Sequence, residues 1–171
     1  SKVERVKSVS FEVRAGEVVG IAGVSGNGQS ELLSLLGGIL KPSKGSFTIA
    51  GAQSHEVSLS HPADPERVRN FGLGHIPEDR HKMGLINRFE AKEAFILGYH
   101  RRPQYNKGWL QDKEAIRQDC QAKMEKWDVR PPSPEHKTAN FSGGNQQKLV
   151  IARELARNPD FILVNQLARG I

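Results

Sequence analysis

The spacing of apolar residues changes along the chain, and each change marks an element. The run "EVVGIAG" at 17–23 is almost continuously apolar, which predicts a short strand buried on both faces. Glycines follow it. Leu32, Leu33, Leu35 and Leu36 then recur at helical spacing until Gly37 and Gly38 close the pattern. The order is strand, glycine loop, helix. Residues 44–53 read as a second strand ending in a turn, and residues 71–80 as a strand broken by a proline.

Residues 85–140 carry more charge, with helical stretches expected at 90–98 and 112–127, and Trp109 and Trp127 expected as core anchors. "RPPSPEHK" at 130–137 is a connecting loop, because its prolines lack donors and restrict their neighbours. From 142 to 159 the chain opens on glycines and continues as an amphipathic helix with Leu149, Ala152, Leu155 and Ala156 on its apolar face, stopped by Pro159. "FILV" at 161–164 is expected as a last buried strand. Strands alternating with helices predict an α/β core interrupted by a mainly helical insert.

Composition narrows the class. A length of 171 residues suits one domain or most of one, and 37% hydrophobic residues supply a lean core. The single cysteine, Cys120, excludes an internal disulfide and suits a reducing compartment. There is no apolar run near the ~18 residues a membrane span needs, so a soluble chain is expected. The net charge of +6 permits an anionic partner, although a solvated basic surface explains it equally well. His75 and His81 do not form a metal set with other ligands at recognised spacing.

Chemistry enters at "GVSGNGQSE", residues 23–31. The glycines fall as in the phosphate loop G-x-x-x-x-G-K-[ST], with Gly23, Ser25, Gly26, Asn27, Gly28, Gln29, Ser30 and Glu31 as candidate phosphate contacts. Such a loop needs glycine so that backbone N–H groups point inward at the phosphates, and the following helix adds its positive end. Ser30 keeps the hydroxyl that would hold Mg²⁺. Gln29 stands where the lysine should be; it can donate a hydrogen bond but supplies no charge. A plain glycine turn is the alternative, and the strand before and helix after weigh against it.

"FSGGNQQK" at 141–148, followed by "IARELARNPDFI", resembles the LSGGQ signature of ATP-binding cassette (ABC) ATPases, in the variant found in carbohydrate and nucleoside importers. The physics agrees: Ser142, Gly143 and Gly144 open a helix, so their N–H groups and the serine hydroxyl can meet a γ-phosphate. A serine N-cap before an ordinary helix also accounts for Ser142, but not for the whole run before a strand. The resemblance spans essentially the whole chain. It implies an α/β P-loop NTPase fold with an ABC-type core at 1–84 and 141–171, a helical subdomain at 85–140, and a chain trimmed at both ends. "IPEDR" at 76–80 resembles the Q-loop, with Glu78 in the glutamine's place, and 161–171 resembles Walker B, with Asn165 and Gln166 where the usual pair is Asp-Glu.

The departures agree with one another. Gln29 replaces lysine, Asn165 replaces the Mg²⁺-supporting aspartate, and Gln166 replaces the glutamate that polarises water; an amide cannot act as a general base. The pattern is similar to the second, degenerate cassette of tandem sugar and nucleoside importer ATPases, and "GNGQSEL", "IPEDRHKMGL" and "WDVRPPSP" lean toward the nucleoside branch. The resemblance implies ATP and Mg²⁺ as ligands. It implies a signature (Ser142, Gly143, Gly144 and Gln146) serving the site of a partner cassette. It also implies a polytopic permease gripped through the Q-loop and helical subdomain, with Glu78, Asp79, Arg80 and His81 as candidates. A periplasmic or lipoprotein solute-binding protein would act indirectly, and the expected location is the cytoplasmic side of the plasma membrane. A regulatory pseudo-ATPase module and a soluble nucleic-acid-associated ABC ATPase are the alternatives; no aromatic-basic stacking surface favours the latter.

Overall fold

The computed structural model describes residues 6–24, 26–51 and 53–165, which fall into two compact units meeting at 71/72.

In the first unit the expected strand at 17–23 is not formed. The segment pairs with no strand among the described residues, and Val18, Val19 and Ile21 are exposed, Val18 to 96%. The apolar run states a demand for two neighbouring strands and two covering layers; without hydrogen-bonded neighbours it has no sheet to enter. After it, Gly26 and Gly28 take positive φ (91° and 95°), and Gly28 is the N-cap of α1, Gln29–Leu36. None of the α1 residues is fully buried, so its leucine stripe is only half covered. Gly38, at φ 73°, ends that turn against Asp64 and Val68, where a Cβ would meet backbone at 2.8 Å. β1, Ser46–Ala50, pairs antiparallel with β2, Ser54–Ser58, a hairpin partner absent from the periodicity reading, and Ile49 and Val57 turn inward. α2, Pro65–Asn70, begins where the Asp64 carboxylate accepts from the Arg67 N–H at 2.9 Å. His55 stacks on Phe71 with ring centroids 4.1 Å apart.

In the second unit β3, Leu73–Ile76, lies parallel to β6, Phe161–Val164, with Leu73 opposite Phe161 and Ile76 opposite Val164. Everything from 77 to 160 is therefore the crossover between two parallel neighbours. β6 is buried only at Leu163; Ile162 and Val164 are exposed, so the expected burial of "FILV" is half correct. The expected helix at 90–98 is regular only as α3, Ala91–Phe95, where Glu90 and Glu93 form a capping box. α4, Lys113–Lys126, matches its prediction closely, and α5, Gly143–Leu155, ends four residues before Pro159.

One apolar core joins these pieces: Ile76, Leu85, Phe95, Met124, Leu149 and Val150 are all buried in it. The helical segment thus shares its core with β3 and α5. Cys120 lies inside this core, where burial pushes its thiol pKa up. Of the two tryptophans, Trp127 packs against the core, but Trp109 is 94% exposed. The correction has a local cause. Trp109 sits at the tip of a hairpin whose strands, β4 (Asn106–Lys107) and β5 (Leu110–Gln111), are two residues each and offer no face that could cover an indole.

Candidate nucleotide and signature sites

The glycine loop leads into α1 without a side-chain cap. Two glycines of positive φ lead into the helix, whose first-turn N–H groups have no side-chain cap, and such groups are what an anion at a helix N-terminus meets. Asn27 N–H donates to the Val24 carbonyl at 3.2 Å and Leu32 N–H to the Gly28 carbonyl at 2.9 Å, which closes the loop onto the helix. The Gln29 side chain folds back against Gly23; a Cβ at that position would collide with Gln29 Nε2. A side chain at position 23 would thus displace the Gln29 amide from this place. Ser30 is exposed at the first turn, and its carbonyl accepts from Ser34 Oγ at 2.7 Å. The donor set fits a phosphate through neutral N–H groups and lacks the lysine charge. Ser25 and Gln166 lie outside the described residues.

The signature run is built differently. Ser142 caps α5, its Oγ accepting from Asn145 Nδ2 at 3.0 Å and more weakly from the Asn145 N–H at 3.4 Å. Both bonds use oxygen lone pairs, so neither consumes the O–H proton. Ser142 is exposed and Gly144 faces open space, where a Cβ would meet nothing within 4 Å. Asn145 is held by accepting from the Arg130 N–H at 2.8 Å.

Gln146 does not share this exposure. It is 5% exposed, its Oε1 accepts from Arg80 Nε at 3.1 Å, and its Nε2 donates to the Thr138 carbonyl at 2.9 Å. Both ends of the amide are engaged, which ties the segment after β3 to the start of α5.

That segment is one turn of π-helix, Arg80–Gly84. Asp79 caps it, accepting from the N–H groups of His81 (3.0 Å) and Lys82 (3.1 Å), and these bonds hold its carboxyl below the usual range. Asp79 is thus committed to the backbone, while Glu78 and His81 reach solvent to different degrees. Asn165 follows β6 directly, its N–H donating to the Ile76 carbonyl at 3.0 Å.

Sequence reading missed a buried polar group behind α5. Glu154, 1% exposed, accepts from Tyr99 Oη at 2.6 Å, Arg153 Nε at 2.8 Å and His75 N–H at 3.3 Å. Arg153 also donates to the carbonyls of Gly84 (2.8 Å) and Ala94 (3.1 Å). The available signal was a charged pair set beside the apolar stripe of an amphipathic helix. Among the described residues no group of three or more His, Cys, Asp or Glu gathers to hold a metal, and no helix is long and apolar enough to cross a membrane.

A loop of this form, a glycine-opened helix and a parallel β-pair around a helical crossover define an α/β P-loop NTPase with a helical subdomain. Residues 6–165 match the family described as ABC transporter, and the chain belongs to that family. It is 39% identical to the guanosine import ATP-binding protein NupO of Bacillus subtilis over 99% of this chain and 32% of that protein. It is 34% identical to the glucose import ATP-binding protein TsgD13 of Haloferax volcanii, over 99% of this chain and 30% of that protein. The chain therefore spans about a third of the length of these curated relatives. In fold it is similar to a nucleotide-free ATP-binding cassette from an ABC transporter, with a TM-score of 0.70 at 22% identity over 95% of this chain and 63% of that one.

Proposed function

We propose that this chain is part of the second, hydrolysis-deficient cassette of an ATP-driven importer of nucleosides or sugars. It holds ATP weakly at its own loop and lends its signature to the competent site of a partner cassette. The observation that carries this reading is the contrast between the two phosphate-facing ends. At the α5 start Ser142 is exposed, Gly143 and Gly144 are half-buried, and a Cβ at Gly144 would meet nothing within 4 Å. The α1 loop keeps its backbone donors but carries an amide at Gln29, and the sequence places amides again at Asn165 and Gln166.

ATP is the ligand of the α1 loop, with Mg²⁺ beside Ser30 supplying charge to the phosphates when bound. The chain's own part is backbone N–H donation to the phosphates and a hydrogen bond from Gln29. No carboxylate at 165 or 166 takes a proton from water, so turnover belongs to the partner's site. There Ser142, Gly143 and Gly144 contact the γ-phosphate, while Gln146 keeps their helix in register. Permease subunits would meet the 78–84 turn from the cytoplasmic side of the membrane, and a solute-binding protein would deliver the cargo. The higher identity to a guanosine importer subunit than to a glucose one supports a nucleoside cargo.

The test is a ranking in the complete two-cassette protein. Ser142→Arg should abolish most ATPase activity although this chain's own loop is untouched, because a bulky cation blocks closure and removes the hydroxyl. Gln29→Ala should cost far less. The reverse order, with both variants folded, would mean that this half turns over ATP itself.

A further inference from the structure

Asn27 is the one asparagine of the chain that is followed by glycine. The fold calls for that glycine, since Gly28 has a φ of 95°, in the left-handed region that residues with a side chain rarely adopt. The turn into α1 therefore gives Asn27 a neighbour with no Cβ to shield its backbone nitrogen. Asn27 is exposed, and among the described residues no group bonds its side-chain amide. Its backbone is lightly held, the N–H donating to the Val24 carbonyl at 3.2 Å, the long end of the usual range. The Gly28 carbonyl accepts from the Leu32 N–H, but among the described residues no carbonyl accepts from the Gly28 N–H. Gly28 is itself buried, whereas the Asn27 amide is open to water. Other asparagines lack this combination. Asn106 Nδ2 donates to the carbonyls of His100 (2.8 Å) and Arg102 (2.7 Å), and Asn140 precedes the bulky Phe141.

We propose that Asn27 is a site of spontaneous deamidation and that the product opposes phosphate binding at this loop. The Gly28 nitrogen attacks the carbonyl carbon of the Asn27 side chain. The new N–C bond closes a succinimide ring, the bond from that carbon to Nδ2 breaks, and the Gly28 proton leaves with the amide nitrogen as ammonia. Water then opens the ring at either carbonyl and leaves aspartate or isoaspartate. Water is the only co-reactant, and nothing is oxidised or reduced. The loop offers phosphates neutral N–H groups, and Gln29 supplies no cation to offset a new carboxylate two residues before the helix begins. Isoaspartate also adds a methylene to the backbone just ahead of the N-cap. The modification stands on the chemistry of residues 27 and 28; its effect on binding rests on the proposed nucleotide role of the loop.

The test holds the folded full chain at physiological temperature and follows each asparagine by peptide mass mapping, with isoaspartate methyltransferase labelling as a second readout. The peptide containing residue 27 should convert to a mixture of aspartate and isoaspartate, faster in mildly alkaline than in mildly acidic buffer, while Asn106 and Asn140 stay intact. Asn27→Gln should not convert, because its longer side chain does not close the same ring. Saturating ATP should slow conversion of the parent. Asn27→Asp, folded by circular dichroism, should bind ATP about tenfold more weakly than the parent in calorimetry, since like charges repel where no lysine intervenes. If the folded chain kept Asn27 intact while the urea-unfolded chain converted, the loop would be a protected one and the proposal overturned. Equal ATP affinity of parent and Asn27→Asp would overturn its second half. A parent that bound no ATP but converted at Asn27 would support the modification and refute the nucleotide role, so the two failures are told apart.

Discussion

Arg80 and Gln146, 66 residues apart, are joined by a hydrogen bond from Arg80 Nε to Gln146 Oε1 at 3.1 Å. The other end of the amide donates to the Thr138 carbonyl at 2.9 Å, so one side chain fixes the turn after β3, the chain before α5 and the first turn of α5 together. Position and orientation of the Ser142 end therefore depend on a group that never reaches the surface. Gln146→Leu keeps the volume and removes both bonds. It is expected to cost roughly 1–3 kcal/mol, the usual penalty for leaving buried polar groups unpaired, read as a fall in the urea midpoint without a change in slope.

The buried carboxylate behind α5 should be more sensitive. Glu154→Ala removes the acceptor of Tyr99 Oη and Arg153 Nε and leaves a cation that is itself only 3% exposed. Breaking one partner of such a pair typically costs about 3–5 kcal/mol. Two backbone carbonyls still accept from Arg153, which places the expectation at the lower end. Chemical denaturation measures it, and a loss within experimental error would show that the network contributes no net stability.

Restoring the missing charge at the loop should raise nucleotide affinity. A lysine ammonium at contact with a phosphate gains roughly 4 kcal/mol at an effective dielectric near 20, before desolvation is subtracted. Gln29→Lys is therefore expected to bind ATP about tenfold tighter or better in a calorimetric titration. Unchanged affinity would show that position 29 does not face the phosphates.

Acid should loosen the first turn of α4 late. Glu114 is held down to about 2 by the Arg117 guanidinium, which donates at 3.0 and 2.8 Å, and by Gln118. A carboxylate whose folded pKa is depressed contributes stability that is full above its unfolded pKa, 4.5, and is lost as pH falls toward the folded one. Glu114→Gln should therefore be less stable than the parent at about pH 6, and the difference should close between about pH 4.5 and pH 2. A difference that instead grew with acid would contradict the assigned pairing. Both groups are exposed, so the effect is a small one, best read from the acid midpoint of helical dichroism.

The sequence by itself determined the local chemistry. Glycines at 26 and 28 force a loop before α1, a serine before two glycines opens α5, and the spacing of apolar residues placed α4 to within a residue at each end. Such features rest on backbone freedom, capping and a period of 3.6, which act within a few residues. The motifs carried the family for the same reason, since each is a short run with its own geometry. What only the tertiary structure decided depends on residues far apart in the chain. The run at 17–23 is apolar enough for a buried strand, yet a strand exists only where another chain segment accepts its hydrogen bonds. Trp109 and Trp127 are the same residue type in the same segment, and one packs against the buried core while the other stands on a hairpin too short to shelter it. Gln146 sits inside the glycine-opened run at the start of α5 and turns inward, because Arg80 and Thr138 arrive beside it from elsewhere. Burial and partnership are set by what folding brings near, and no pattern along the chain contains them.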